Sequence, residues 1–207
     1  MKLWDKGFSI DKQIEKFTVG NDREIDMHIA KYDVQASLAH AIMLASIGII
    51  TADELKDLKR GLQELAADIE NGTFIIEASF EDVHSKIEWE LTNKLGEVGK
   101  KIHTARSRND QVLVALQLYY KENLSVINDK TKTLFDTLLG LAETHKESLL
   151  PGYTHLQVAM PSSFGLWFSA YAELLIDDVY MLNAVSRVVD QNPLGSAAGY
   201  GSSFPID

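Results

Sequence analysis

The sequence LVALQLYYKENLSVINDKTKTLFDTLLGLAETH, residues 113–145, contains no proline and a single glycine, so it can form one uninterrupted helix. A heptad-like seam recurs along it every three or four residues: Leu113, Leu116, Tyr120, Leu124, Ile127, Thr131, Leu134, Leu138, Leu141 and His145. A helix of ~36 residues would span about 54 Å, which is longer than most helices of globular proteins. The spacing therefore predicts a long bundle helix that packs on several partners, some of them from other subunits.

Helical patterns also account for the remainder of the chain, and strand signals are nearly absent. A second long helix is expected from Pro161 to about Asp190, because proline suits the first helical position. Shorter helices are predicted near residues 24–47, from a Thr51–Glu54 capping box to Asn71-Gly72, and from about Glu81 to Leu95. The pattern predicts an all-α fold with a small helical domain at 1–105, followed at 106–207 by the first part of a long-helix bundle domain.

The composition excludes several classes of protein. With 30 acidic against 20 basic side chains the formal net charge is −10, so no broad basic face is available for nucleic acid. The most apolar stretch, AIMLASIGII at 41–50, is too short to cross a membrane, and the charged start is unlike a secretory signal. The absence of cysteine agrees with a reducing compartment. We expect a cytoplasmic protein with neither nucleic-acid nor membrane partners.

A donor-rich segment, HTARSRNDQ at 103–111, precedes the long helix and contains a single acid, Asp110. Arginine offers a planar fork that fits a carboxylate, while serine and asparagine offer short neutral hydrogen bonds. Ser107, Arg108 and Asn109 are therefore candidates for binding a small anion. A solvated basic turn in front of a helix is the alternative.

A second polar segment, LPGYTHLQVAMP at 150–161, begins with a turn at Pro151-Gly152. His155 is a candidate for proton transfer, because the unperturbed pKa of histidine, about 6.5, lies near neutrality. A purely structural loop histidine is the alternative. Gln157 either supports the site by a hydrogen bond or makes a contact at the entry of the next helix.

The two segments together resemble argininosuccinate lyase and its lens relative delta-crystallin, members of the fumarase/aspartase superfamily. EDVHSKIE at 81–88 and NPLGSAAGYGSSFPID at 192–207 also fit that family, in the same order. The resemblance implies a fumarase/aspartase-like all-α fold and a homotetramer whose active sites are each built from three subunits. Members of the family are considerably longer, so we interpret the chain as an N-terminal segment. Alone it is expected to be inactive, because the resemblance places a serine base and a mobile lysine-containing loop in the missing part.

The reaction that the resemblance implies is a β-elimination of argininosuccinate to arginine and fumarate, without a metal or an organic cofactor. His155 would transfer a proton to the leaving group or polarise the acid that does so. Thr154, Ser107 and Asn109 would bind the succinate carboxylates, and Arg108 would neutralise them or orient its segment.

The same resemblance implies that Asp82 and His84 face the arginine end of the substrate and the reacting centre. Asp26 also remains available for contacting the substrate. From the residues alone, Ser79 and Asp82 would instead cap a helix, with His84 on the surface. Glu88 and Glu90 are interpreted as solvated. Three further histidines on helical faces are interpreted as structural: His28, His40 and His145.

Two departures from the family lie near the N-terminus. WDKGF at 4–8 lacks an arginine that relatives have, and Asp22 replaces a serine four residues before Asp26.

Two alternative functions also stay open. One is a sister lyase such as fumarase, aspartase or adenylosuccinate lyase, and the other is a non-catalytic helical assembly protein of the delta-crystallin kind. No set of His, Asp and Glu has the spacing of metal ligands, and the glycine-rich 195–201 follows a helix, unlike a dinucleotide loop.

Overall fold

The computed structural model describes residues 11–195, 197 and 199–206, and these form helices and one β-hairpin. The departure at 4–8 lies outside the described residues. The helices are α1 (Lys12–Val19), α2 (Asp22–Ile25), α3 (Ala30–Ser46), α4 (Ala52–Glu70), α5 (Val83–Leu95), α6 (Glu97–Lys100), α7 (Arg108–Thr144) and α8 (Phe164–Val189). The all-α prediction is confirmed in its main feature, since α7 and α8 are the two expected long helices.

The chain divides into two compact units. Unit 1 comprises Met1–Tyr119 and Asn192–Asp207, and unit 2 comprises Tyr120–Gln191. Helix α7 is continuous over 37 residues and contributes its first turns to unit 1 and the remainder to unit 2. The predicted division into domains at 105/106 stays a prediction.

Unit 1 is built around an apolar core to which α3, α4 and α5 contribute most. Its fully buried large side chains include Leu44, Leu58, Leu62, Leu65, Ile87, Leu91 and Ile102. The helix that was predicted from residue 24 is interrupted by a 3₁₀ turn at Asp26–His28, so that α3 begins at Ala30.

Helix α4 begins and ends as its sequence predicts. Its capping box is complete, since Glu54 N–H donates to Thr51 Oγ1 at 3.2 Å and Thr51 N–H donates to Glu54 Oε2 at 2.9 Å. The left-handed residue after its end is Gly72, with φ of 72°, which glycine adopts without a steric penalty. Local sequence signals therefore fix both ends of this helix.

The hairpin of unit 2 corrects the prediction for residues 149–163. Strands β1 (Leu149–Thr154) and β2 (Gln157–Ser163) pair in an antiparallel sheet, and Pro161 lies in β2 opposite Pro151 rather than at the start of a helix. Proline is tolerated here because both strands of an isolated hairpin are edge strands. Helix α8 instead begins after Ser163, whose Oγ accepts from Leu166 N–H at 3.1 Å.

Two glycines allow backbones to approach closely in this unit. A Cβ atom at Gly152 would lie 2.7 Å from the carbonyl oxygen of Met160, at the point where the strand register shifts. A Cβ atom at Gly165 would lie 2.6 Å from the Cα atom of Lys146. Both positions exclude a larger residue unless the backbone moves.

Candidate functional site

The donor-rich segment turns into helix α7 through a side-chain cap. Ser107 Oγ accepts from Asn109 N–H at 3.2 Å, and Asp110 Oδ2 accepts from Ser107 N–H at 3.0 Å. Asn109 is exposed, while Ser107 and Arg108 are half-buried. The Ser107 hydroxyl accepts a bond in this arrangement and keeps its own proton to donate. The segment is therefore an ordered helix start with free donors, and not only a solvated turn.

Arg108 is held by a carboxylate from α5. Its Nη1 and Nη2 atoms donate to Glu88 Oε1 at 2.8 Å and Oε2 at 3.1 Å, which is a bidentate pair, and Nη1 also donates to Gln111 Oε1. His103 Nδ1 lies 3.1 Å from the same Glu88 Oε1. The prediction of a solvated Glu88 is wrong, because its side chain is only 18% exposed and lies between Arg108 and His103.

The surroundings of Glu88 favour its ionised form. Burial alone would raise the pKa of Glu88, but the hydrogen bond from His103 and the charge of Arg108 hold that pKa below its usual value. Glu88 is therefore ionised at neutral pH. The interpretation of Glu90 as solvated is also wrong, because it lies 3.0 Å from the Lys86 Nζ atom.

A buried network beneath the segment connects it to α3. Asp33 is fully buried, and Gln111 Nε2 donates to its Oδ1 at 2.9 Å and to its Oδ2 at 3.0 Å. His84 Nδ1 lies 3.0 Å from Asp33 Oδ2, close enough for an ion pair but without hydrogen-bond geometry. Burial would raise the pKa of Asp33, but the close approach and charge of His84, with Arg106 and Gln111, lower it.

His84 is therefore not on the surface, as the capping interpretation required, since its side chain is 2% exposed. Asp82 does cap α5, because its Oδ1 accepts from Ser85 N–H at 2.6 Å. The helix-start interpretation is thus correct for Asp82 and wrong for His84. Within the described residues no hydrogen bond involves Ser79.

Asp26 lies at the same helix end. Its Oδ2 accepts from Val83 N–H at 3.1 Å. Burial raises the pKa of Asp26, and the bond from Val83 only partly offsets this. Asp26 and Asp82 therefore both hold the first turn of α5, the helix that carries His84 and Glu88.

Arg106, in the same segment, points into unit 1. It is buried, its Nη1 donates to Ser37 Oγ at 3.1 Å, and its Nε and Nη2 atoms have no hydrogen-bond partner among the described residues. It lines a cavity of about 420 Å³ together with His40 and Asp110. His40 Nε2 lies 2.9 Å from the Thr104 carbonyl oxygen. Burial, with the charge of Arg106, lowers the pKa of His40 to about 4.

The second polar segment forms the tip of the hairpin in unit 2. Thr154 and Gln157 are paired across the strands, and His155 and Leu156 form the two-residue loop, with φ of 49° and 63°. Positive φ at both loop positions is the geometry of a type I′ turn. All four side chains are exposed. The helix-entry alternative for Gln157 is wrong, because α8 begins only at Phe164.

The structure thus brings Ser107, Arg108 and Asn109 together at one helix start and Thr154, His155 and Gln157 together at one hairpin tip. These two groups belong to different units. Glu88 is the residue that sequence reasoning missed. It lies one helical turn after His84 on the same face of α5, and that spacing would have placed it beside the site.

No three His, Asp or Glu side chains of the described residues are grouped so that they could hold a metal ion. None of the helices in the same residues is both long and apolar enough to cross a membrane.

Comparison with known proteins agrees with this architecture. The family model described as lyase matches residues 8–207. The chain is 55% identical over 206 residues to argininosuccinate lyase of Phocaeicola vulgatus, covering 100% of this chain and 46% of that protein. It is 47% identical over 206 residues to argininosuccinate lyase of Thermotoga neapolitana, covering 100% of this chain and 52% of that protein. The chain therefore spans about half the length of the curated relatives it matches.

Two solved structures show the same fold. EDDS lyase in complex with formate has a TM-score of 0.77 at 23% identity, covering 96% of this chain and 40% of that chain. Fumarate lyase:delta crystallin from Brucella melitensis bound to cobalt has a TM-score of 0.75 at 15% identity, covering 95% of this chain and 48% of that chain. The expected fumarase/aspartase-like fold is confirmed. The match over residues 8–207 shows that this chain belongs to the lyase family.

Proposed function

We propose that this chain is the N-terminal part of an argininosuccinate lyase, which cleaves argininosuccinate to arginine and fumarate. The observation that carries the proposal is the 55% identity over 206 residues to the protein of that name from Phocaeicola vulgatus. The ordered start of α7 supports it, because an acidic chain with a formal charge of −10 concentrates cationic and neutral donors there.

The reaction explains why such donors are needed. A base removes a proton from the carbon next to a succinate carboxylate, and the electron pair forms an aci-carboxylate with additional negative charge. That pair then forms the double bond of fumarate while the guanidino nitrogen leaves with a proton. Preorganised donors that are aimed at the developing charge typically change the rate by roughly 10²–10³ each.

The residue roles follow the two groups described above. Ser107, Asn109 and Thr154 bind the succinate carboxylates. His155 transfers the proton to the leaving nitrogen or polarises the acid that does so, and its exposed position in the hairpin leaves the imidazole accessible. Gln157, which is paired with Thr154 across the strands, supports His155.

Asp26, Asp82 and His84 are proposed to lie toward the arginine end of the substrate. The carboxylates of Asp26 and Asp82 already accept hydrogen bonds at the start of α5, and the imidazole of His84 faces Asp33. These three residues therefore contribute less to substrate binding than the donors at the start of α7. Asp26 and Asp82 would add negative charge on the side of the cationic guanidino group.

The assembled enzyme is proposed to be a cytoplasmic homotetramer with shared active sites. Large apolar side chains are exposed along both long helices, including Ile127, Leu134, Leu174 and Tyr180, and apolar surface of this extent marks an interaction face. The 207-residue chain should therefore self-associate, as measured by sedimentation velocity. Leu174→Glu should weaken that association, whereas Lys130→Glu, a charge change on α7, should not. A wild-type chain that stays monomeric would contradict the bundle.

The activity is tested by following fumarate release from argininosuccinate by ultraviolet absorbance. The 207-residue chain is compared with a full-length protein that contains it, extended to the length of its relatives. Activity of the full-length protein alone supports the proposal and a shared active site. Inactivity of both favours a sister lyase or a crystallin-like assembly protein, and activity of the short chain contradicts the shared site.

Two substitutions in the full-length protein test the roles. His155→Asn and Ser107→Ala should each reduce kcat by more than about tenfold, since each removes a group that acts on the transition state. His145→Asn, directly after the end of α7, and Ser125→Ala, on α7, are the matched controls. A near wild-type rate in either test variant would remove that residue from the mechanism.

A further inference from the structure

The guanidinium group of Arg108 has two edges that can bind a carboxylate. The end edge consists of Nη1 and Nη2, and the side edge consists of Nε and the second proton of Nη2. Glu88 occupies the end edge, and Gln111 takes the remaining Nη1 proton. No hydrogen bond to the side edge is found within the described part of the chain, and the side chain is 21% exposed.

Glu88 is itself rigidly placed. It projects from α5, whose first turn is capped by Asp82 and whose neighbouring residues Ile87 and Leu91 are fully buried. His103 provides a second contact to the same carboxylate, with its Nδ1 atom 3.1 Å from Oε1. A carboxylate with partners on both oxygens has few accessible rotamers, so it can fix the plane of the guanidinium group to which it is bonded.

We propose that Glu88 is a positioning residue that holds the end edge of Arg108, so that the side edge is presented to a carboxylate of the substrate. This rests on the proposed lyase function and adds to it the geometry of one carboxylate contact. Arg108 then has both roles suggested by the sequence, because one edge orders the segment and the other binds an anion.

Pairing with Glu88 reduces the effective charge of Arg108 but fixes the orientation of its guanidinium group. The Glu88 carboxylate partly neutralises Arg108, which weakens its long-range attraction for the two carboxylates of the succinate part of the substrate. In return, the side edge keeps one orientation, and alignment matters most when negative charge grows in the transition state. Loss of Glu88 should therefore reduce kcat more than it raises KM.

The experiment measures kcat and KM for fumarate release by the full-length protein and its variants. Glu88→Gln should reduce kcat/KM by about tenfold or more, a typical effect of misplacing a positioned group. Glu88→Asp, which keeps the negative charge, should recover part of that loss. Glu90→Gln is the matched control, since Glu90 lies on the same helix and pairs with Lys86 rather than Arg108, and it should stay within about twofold.

A double-mutant comparison separates positioning from a general structural effect. If Glu88 acts through Arg108, then Glu88→Gln combined with Arg108→Gln should be no worse than Arg108→Gln alone. Additive losses would overturn the proposal, as would wild-type kinetics for Glu88→Gln while Arg108→Gln is impaired. A thermal unfolding midpoint measured for each variant shows whether a loss reflects unfolding, and Glu88→Asp serves if Glu88→Gln does not fold.

Succinate binding, measured by calorimetry on the same proteins, does not depend on turnover. A protein that binds succinate more weakly after Glu88→Gln but not after Glu90→Gln supports the positioning role even if it releases no fumarate, in which case only the proposed reaction fails. If Glu88→Gln changes neither turnover nor succinate binding, the positioning role is wrong.

Discussion

Unit 1 and unit 2 are both helical, but they differ in how much of their apolar surface is buried. Unit 1 buries complete leucine and isoleucine side chains from several helices. In unit 2, Gly165 and Ala172 are the only buried residues, while Leu174 on α8 is 59% exposed. The helices of unit 1 are stabilised by contacts within the chain, whereas those of unit 2 present apolar faces that the described chain does not cover.

The buried titratable groups of unit 1 reflect its packing. The pKa values of Asp33, His40 and Glu88 are all lowered. Shifts of this kind require burial or close charged partners, and the core of unit 1 provides both. The difference between the units shows that similar helix-forming sequences can lead to a closed core or to an open face, depending on where their apolar side chains find partners.

The largest expected effect compares one leucine from each unit. Leu62→Ala, at a fully buried position, should lower the free energy of unfolding by about 2–5 kcal/mol, because it leaves a cavity. Leu174→Ala should lower it by less than about 0.5 kcal/mol, as expected for an exposed position. Urea unfolding of the dilute 207-residue chain measures both. Equal losses would show that Leu174 is covered, and the contrast between the units would disappear.

A second, smaller effect depends on pH and comes from His40 in unit 1. Its pKa is lowered to about 4 by burial and by the charge of Arg106. The unfolded chain therefore binds a proton below pH 6.5 that the folded chain does not bind. Stability should fall as the pH decreases from about 6.5 toward 4, by up to about 3 kcal/mol.

His40→Gln should flatten the dependence of the unfolding free energy on pH in this window, because glutamine does not titrate. Ser125→Ala in unit 2, which neither adds nor removes a titratable group, is the control and should leave the slope unchanged. Asp33 and Glu88 have lowered pKa values, so their protonation at lower pH further reduces the stability of the fold. This additional loss is the same in the wild-type chain and in both variants. An unchanged slope in His40→Gln would show that this imidazole is not the group that destabilises unit 1 in acid.

The smallest effect should be equal in the two units, because helix capping is local. Thr51→Ala removes the cap of α4, and Ser163→Ala removes the cap of α8. Each should reduce the stability of its helix by about 1 kcal/mol, as measured by circular dichroism during thermal unfolding. A much larger loss of stability in one unit would mean that its cap also supports tertiary contacts. Capping would then not be a purely local effect in that unit.

The sequence predicted the features that depend on local chemistry. The capping box of α4, the lengths of α7 and α8 and the clustering of Ser107 to Asn109 at a helix start follow from short-range patterns. The hairpin was missed because its strands carry two prolines and little alternation, and its turn has neither asparagine nor glycine at positions 155 and 156. The partners of Glu88 were missed because Arg108 is remote in sequence and only folding brings the two together.

The turn geometry of His155 decides which substitutions at that position are informative. With φ of 49°, the backbone there is in the left-handed region, which asparagine and glycine tolerate better than other residues. An asparagine replaces the imidazole while keeping the turn, so its effect reports on proton chemistry. Valine or isoleucine would disturb the backbone as well as the side chain, and a loss of activity from either could not be assigned to chemistry alone.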